Sequence, residues 1–148
     1  MQLEGWARTV ECRCFVATPD SVEDVGAVIR DVKERGFTIG IRGSGLSYGD
    51  QHLNHDNVVL DMRGLNRIIS WNKESGVMTV EAGVTYDMIL RLSLPDKWIL
   101  PAVPGTRYPT MGGALANNVH GKNAYRTPTI GGAVLSFVLV TASGDMVV

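Results

Sequence analysis

Cysteine is scarce in this chain, two residues in 148, and both fall close together at Cys12 and Cys14. A disulfide scaffold is excluded, because a bridge between such near neighbours is strained and staples nothing. An extended segment would put both thiols on one face, free and inert. Positive charge is not in excess either: 14 Lys and Arg against 15 Asp and Glu leave a formal charge of −1. Nucleic acid is therefore not an expected partner, since non-specific affinity for it comes from clustered cations. No apolar run approaches the roughly 18 residues of a membrane span. Glu4 and Trp6 stand where a secretory signal would place its apolar core. Internal repeats, linkers and low-complexity stretches are also missing. With 45% hydrophobic and 20% charged residues the composition is globular, and the length allows one domain with a real core and no metal or disulfide staple.

Glycine is abundant: 17 residues against 6 prolines, with no collagen period. Many backbone positions must therefore need positive φ or close approach by something, such as a ligand. Thr18 to Asp24 supplies cap residues and acids, after which Val22, Val25, Ile29 and Val32 share one helical face and Gly36 stops it. This predicts a helix from Val22 to Arg35. Strands are expected at Cys14 to Ala17, at Phe37 to Ile41 where apolar residues alternate, and at Asn57 to Met62, making a small β-α-β layer. Arg67 to Trp71 and Val77 to Glu81 read as a hairpin. Thr85 caps a short helix carrying Met88, Ile89 and Leu92. A strand at Trp98 to Leu100, a helix from Thr110 to Val119 and an apolar strand from Val134 to Thr141 complete the pattern. The α+β chain divides at residues 1–64 and 65–148, the second part incomplete because its last hairpin stops as the returning strand begins. The chain is thus expected to be a fragment.

Three segments could carry chemistry. Arg42-Gly43-Ser44-Gly45-Leu46-Ser47-Tyr48-Gly49-Asp50 directly follows a strand, where glycines let amides converge on an anion and serine hydroxyls add donors. No Gly-Lys-Ser/Thr follows, and the glycine spacing misses the Rossmann fingerprint. A ligand-free strand-to-strand connection fits the spacing equally well. Pro104-Gly105-Thr106-Arg107 precedes Thr110-Met111-Gly112-Gly113-Ala114. Two glycines at a helix start either leave amides open to a pyrophosphate or permit tight helix packing. His120-Gly121-Lys122-Asn123 puts an imidazole, an ammonium and an amide on one short loop, able to orient a hydroxyl or stabilise developing negative charge. His52 and His55 lack a third ligand, so they are read as loop surface and no metal is expected.

In this order the segments resemble the FAD-binding domain of the vanillyl-alcohol oxidase and p-cresol methylhydroxylase (PCMH-type) superfamily, and within it the decaprenylphosphoryl-ribose oxidase family. Gly5-Trp6 with Arg8-Thr9 looks like that family's Gly-Trp-Gly-Arg-Thr opening, with Ala7 where glycine is usual. Arg42 to Asp50 looks like its Arg-Gly-Leu-Gly-Arg-Ser-Tyr-Gly-Asp loop, and the Pro-Gly-Thr-Arg, Gly-Gly-Ala and His-Gly-Lys-Asn segments match in order. The resemblance implies an extended FAD. Its cofactor contacts would come from Arg42, Gly43, Ser44, Gly45, Leu46, Ser47, Tyr48, Gly49, Asp50, Gly105, Thr110, Met111, Gly112 and Gly113, with the ring toward Asn117, Asn118, Val119 and His120. His120, Lys122 and Tyr48 would face the substrate. Leu46 stands where many members carry the histidine that bonds FAD covalently, so non-covalent FAD is implied. The resemblance further implies hydride transfer from a polyprenyl-phosphate sugar or another polyol, with an alditol or aldonolactone oxidase as the nearest rival. A reductase partner completing an epimerisation, a cytoplasmic location near the membrane through a lipid-linked substrate, and a C-terminal substrate domain absent from this chain are also implied. A chain of this length could equally be an FAD-binding module without turnover.

Overall fold

A computed structural model describes residues 1–122 and 128–148. Asn123, read above with His120 and Lys122, lies outside the described residues. The chain forms two compact units, Met1–Leu65 with Ser136–Val148, and Asn66–Leu135. The C-terminal stretch, expected to belong to the second half, therefore packs with the first.

In the first unit, β1 (Gln2–Glu4) and β2 (Glu11–Arg13) form an antiparallel pair. A parallel sheet follows from β3 (Phe15–Ala17), β4 (Ile39–Arg42) and β5 (Val58–Asp61), with β5 in the middle. Helix α1 (Val22–Glu34) starts as its caps dictate: the Ser21 hydroxyl accepts from the Asp24 amide at 3.1 Å, with Glu23 and Asp24 in the first turn. Register aligns Phe15, Val58 and Ile39, then Val16, Val59 and Gly40, then Ala17, Leu60 and Ile41. Alternation sends Leu60, Ala17 and Ile39 to the face covered by Val25, Val28 and Ile29 of α1, and Val59 and Val16 to the opposite face. That opposite face holds Cys12 and Cys14, both buried and free, and burial raises the Cys14 thiol pKa, with Cys12 adding to the effect. The expected strand from Val134 to Thr141 shrinks to β8 (Leu139–Val140), paired with β9 (Met146–Val147). Residues 130–133 are taken by a short 3-10 turn, and Leu135, Phe137 and Val138 stay exposed. Val140 joins the α1 core, and Arg30 donates to the Gly144 carbonyl at 2.9 Å.

In the second unit, β6 (Ile68–Asn72) and β7 (Val77–Val80) form the expected hairpin, with the Asn72 side chain accepting from the Glu74 and Ser75 amides in the turn. Thr85 caps α2 (Tyr86–Ser93). No strand forms at Trp98–Leu100: the Trp98 amide instead donates to the Ser93 carbonyl and its indole to Lys73. Helix α3 (Met111–Ala116) is shorter than expected, because Asn117 folds back on the Gly113 carbonyl and Asn118 turns left-handed at φ 44°. The core is Tyr86, Ala102, Ala114 and Ile130. Among the described residues the buried Tyr86 hydroxyl has no partner, and burial pushes its pKa up to about 12. Tyr86→Phe is therefore expected to stabilise this unit by about 1–2 kcal/mol, the cost of an unsatisfied hydroxyl. Equilibrium urea unfolding measures this, and a destabilised variant would contradict it. Among the described residues, no helix is long and apolar enough to cross a membrane.

Candidate functional site

The loop leaving β4 carries the strongest constellation. Among the described residues, the backbone amides of Gly45, Leu46, Ser47, Tyr48 and Gly49 donate to no carbonyl or side chain of the protein. Gly43 to Ser47 are half-buried, where unpaired amides are costly unless something accepts from them. Gly45 sits at φ 68°, and a Cβ there would fall on the Arg42 guanidinium. A left-handed glycine within a run of unengaged amides is compatible with a backbone nest for phosphate oxygens. The donors at Gly45, Leu46 and Ser47 fit a dinucleotide pyrophosphate, whereas Tyr48 and Gly49 are exposed and their amides are open to solvent as well.

Arg42 braces this loop from the end of β4, opposite Asp61 in the register. Its guanidinium reaches the Glu4 carbonyl at 3.4 Å, and burial is the main cause lowering its pKa. Asp61 is buried. Burial alone would raise its carboxyl, but the Arg63 guanidinium at 2.6 Å holds it below the ordinary value. Tyr48 is 84% exposed and packs edge-on against Trp6, ring centroids 5.3 Å apart. His52 is a correction: it is buried rather than loop surface, whereas His55 is exposed as expected. Histidine alone in a polar run carries no burial signal, so the sequence could not mark it.

The second unit brings together the remaining candidates in a different sense. Every amide at the start of α3 is engaged: Met111 donates to the Val84 carbonyl at 2.7 Å, Gly112 to Ala82 at 2.8 Å, Gly113 to the Thr110 hydroxyl at 3.3 Å and Ala114 to the Thr110 carbonyl at 2.8 Å. The expected open amides are thus absent, and tight packing is the reason for glycine at Gly112. A Cβ there would lie 2.9 Å from the Ala82 Cβ and 3.1 Å from its carbonyl oxygen. Thr110 is buried and bridges Thr85. Asn118 accepts from the Gly131 amide at 3.3 Å, so both asparagine side chains have structural partners. Val119 accepts from the Ile130 amide, and His120 bridges Thr129 with its side chain exposed. The Lys122 amide donates to Val103, which brings the exposed Lys122 beside the segment holding Gly105. A side chain at Gly105 would meet nothing within 4 Å, so the protein itself does not demand glycine there. Arg107, unassigned from sequence, pairs with Asp87 at 3.2 Å.

The FAD binding domain family matches residues 14–148. The chain belongs to this family. Among relatives of this FAD-binding domain, decaprenylphosphoryl-beta-D-ribose oxidase of Mycolicibacterium smegmatis is 39% identical over 146 residues, covering 98% of this chain and 32% of that protein. The mitochondrial D-2-hydroxyglutarate dehydrogenase of Rattus norvegicus is 27% identical, over 95% of this chain and 27% of that one. An L-gulono-1,4-lactone dehydrogenase of Mycobacterium tuberculosis is 29% identical, over 88% and 30%. The chain thus spans about a third or less of the curated relatives it matches. In fold, 6-hydroxy-D-nicotine oxidase from Arthrobacter nicotinovorans superposes with a TM-score of 0.85 at 21% identity, over 92% of this chain and 30% of that one. A Physcomitrella patens BBE-like 1 variant gives 0.77 at 27%, over 89% and 29%. The PCMH-type FAD-binding fold expected from the motifs is the fold of this domain.

Proposed function

We propose that this domain is the FAD-holding part of an oxidoreductase that removes hydride from a CH–OH carbon of a sugar, the substrate being a polyprenyl-phosphate pentose. The unengaged amides from Gly45 to Gly49 carry the reading, and the 39% identity to decaprenylphosphoryl-beta-D-ribose oxidase supports the substrate class. When bound, FAD supplies the two-electron acceptor. The loop amides and the Ser47 hydroxyl bind the pyrophosphate and offset its charge. His120 and Lys122 of the second unit orient the substrate hydroxyl and stabilise negative charge developing on its oxygen. Leu46 offers no atom for a covalent link, so FAD is held by contacts alone. The same reading puts the protein in the cytoplasm, near the membrane through its lipid-linked substrate, with a reductase partner completing an epimerisation. A second reading, an alditol or aldonolactone oxidoreductase, draws on the L-gulono-1,4-lactone dehydrogenase relative.

Purified with FAD, the chain is expected to be yellow, and acid precipitation to leave all flavin in the supernatant. Flavin in the pellet would refute non-covalent binding, and no flavin uptake would refute the cofactor assignment. Anaerobic bleaching by a polyprenyl-phosphate pentose or by an aldonolactone separates the two substrate readings. Bleaching by neither leaves an FAD-binding module without turnover.

A further inference from the structure

Along the extended run from Glu11 to Phe15, Glu11, Arg13 and Phe15 are exposed while Cys12 and Cys14 are buried, at 2% and 3% exposure. This alternation puts both cysteines on one face, where they pack in one cluster with Val59, bordered by Leu3, Val16 and Leu53. Both thiols are free. The Met1 ammonium donates to the Cys14 carbonyl at 2.7 Å, and the Cys14 amide donates to the Met1 carbonyl at 3.0 Å. The β1–β2 ladder therefore fixes the backbone at Cys14 as well as at Cys12, which pairs with Leu3. Cys12 also lines a cavity of about 510 Å³, together with Met1 and Arg13.

Distance decides what such a pair can do. Two residues of strand set parallel Cβ atoms about 6.6 Å apart, beyond the roughly 3.5–4.5 Å of a disulfide. A metal ion between the sulfurs replaces an S–S bond of about 2 Å with two bonds of roughly 2.3 Å each, which closes the gap without moving the backbone. Among the described residues, no group of three or more His, Cys, Asp or Glu side chains could hold a metal. Zinc, which takes four donors in closed sites, and the oxygen-seeking cations are thereby excluded. What remains is a soft cation satisfied by two thiolates, and Cu(I) is that ion.

We propose that Cys12 and Cys14 form a two-thiolate site for Cu(I). Binding makes two Cu–S bonds and releases two S–H protons to water; copper keeps its oxidation state, and the site carries one net negative charge. The Met1 ammonium at the Cys14 carbonyl offsets part of that charge. Burial first, and Cys12 beside it, raise the Cys14 thiol, so the pair stays protonated until a metal displaces the protons. The inference does not rest on the FAD reading.

The reduced chain, free of flavin and oxygen, is titrated with Cu(I) against a chromophoric Cu(I) chelator. One Cu(I) per chain is expected to leave the chelator. Replacing both thiols, Cys12→Ala with Cys14→Ala, is expected to abolish the transfer, with circular dichroism as the folding control. No transfer to the unaltered chain, or equal transfer to the folded double variant, overturns the proposal. X-ray absorption of the loaded, unaltered chain needs no variant: sulfur is expected at roughly 2.3 Å from copper, and a shell made of nitrogen or oxygen refutes the thiolate site. Cu(I) buffered at about 100 times its Kd should also raise the thermal midpoint by about 5 °C or more. An unchanged or lowered midpoint would mean that the metal has no preference for the folded chain, which sinks the site. Equal stabilisation by Zn(II) would overturn the assignment to a soft, low-coordinate cation.

Discussion

Gly45→Val is expected to cost the chain its FAD while leaving most of its fold in place. The residue sits at φ 68°, where a β-branched side chain is strained by roughly 1–2 kcal/mol. The new Cβ would also fall on the Arg42 guanidinium. Arg42 is a flexible side chain and can leave, so the sheet survives. What does not survive is the spacing of the amides from Gly45 to Gly49. Hydrogen bonds to a charged acceptor contribute about 1.5–3 kcal/mol each, so misplacing one weakens affinity at least roughly tenfold and misplacing two at least roughly a hundredfold. Flavin per protein after purification, with circular dichroism as the folding control, reads the result. Undiminished affinity would sink the loop as the pyrophosphate seat.

Gly112→Val is expected to act on a different quantity. Ala82 presses against Gly112 with its Cβ at 2.9 Å and its carbonyl oxygen at 3.1 Å from any added side-chain carbon, and that carbonyl also accepts the Gly112 amide. Backbone cannot swing aside as Arg42 can. Overpacking of about 1–3 kcal/mol plus a lost hydrogen bond of about 1 predicts a loss near 2–4 kcal/mol with no FAD present. Urea unfolding followed by Trp71 and Trp98, both in the second unit, measures it. Normal stability without FAD combined with lost flavin would instead restore the helix start as a phosphate contact.

The contrast between these two glycines shows what the sequence could reveal. Helix α1 was legible because its information is local: Ser21, the first-turn acids and the valine spacing all lie within it. The loop after β4 was legible as a loop because the strand's alternation stops at three close glycines, while its reading as a phosphate seat came from the resemblance. The start of α3 was not, since its amides are engaged by Ala82 and Val84, residues far away in sequence that no spacing rule connects to it. His52 failed because a lone histidine in a polar run carries no local signal of its burial. The run from Val134 to Thr141 failed because an apolar stretch without alternation does not say where pairing begins. The fold could thus be read forward, whereas the partners of individual amides and rings could not.

The division of the chain has a consequence for its birth. The first unit encloses the second in sequence, and Val140 and Gly144, near the C-terminus, complete the packing around α1. Ribosomes add roughly 5–20 residues per second, so the N-terminal core waits on the order of ten seconds for those contacts while the intervening unit emerges. The segment encoded second can therefore finish folding first. The phosphate loop, although translated early, belongs to the unit that closes last.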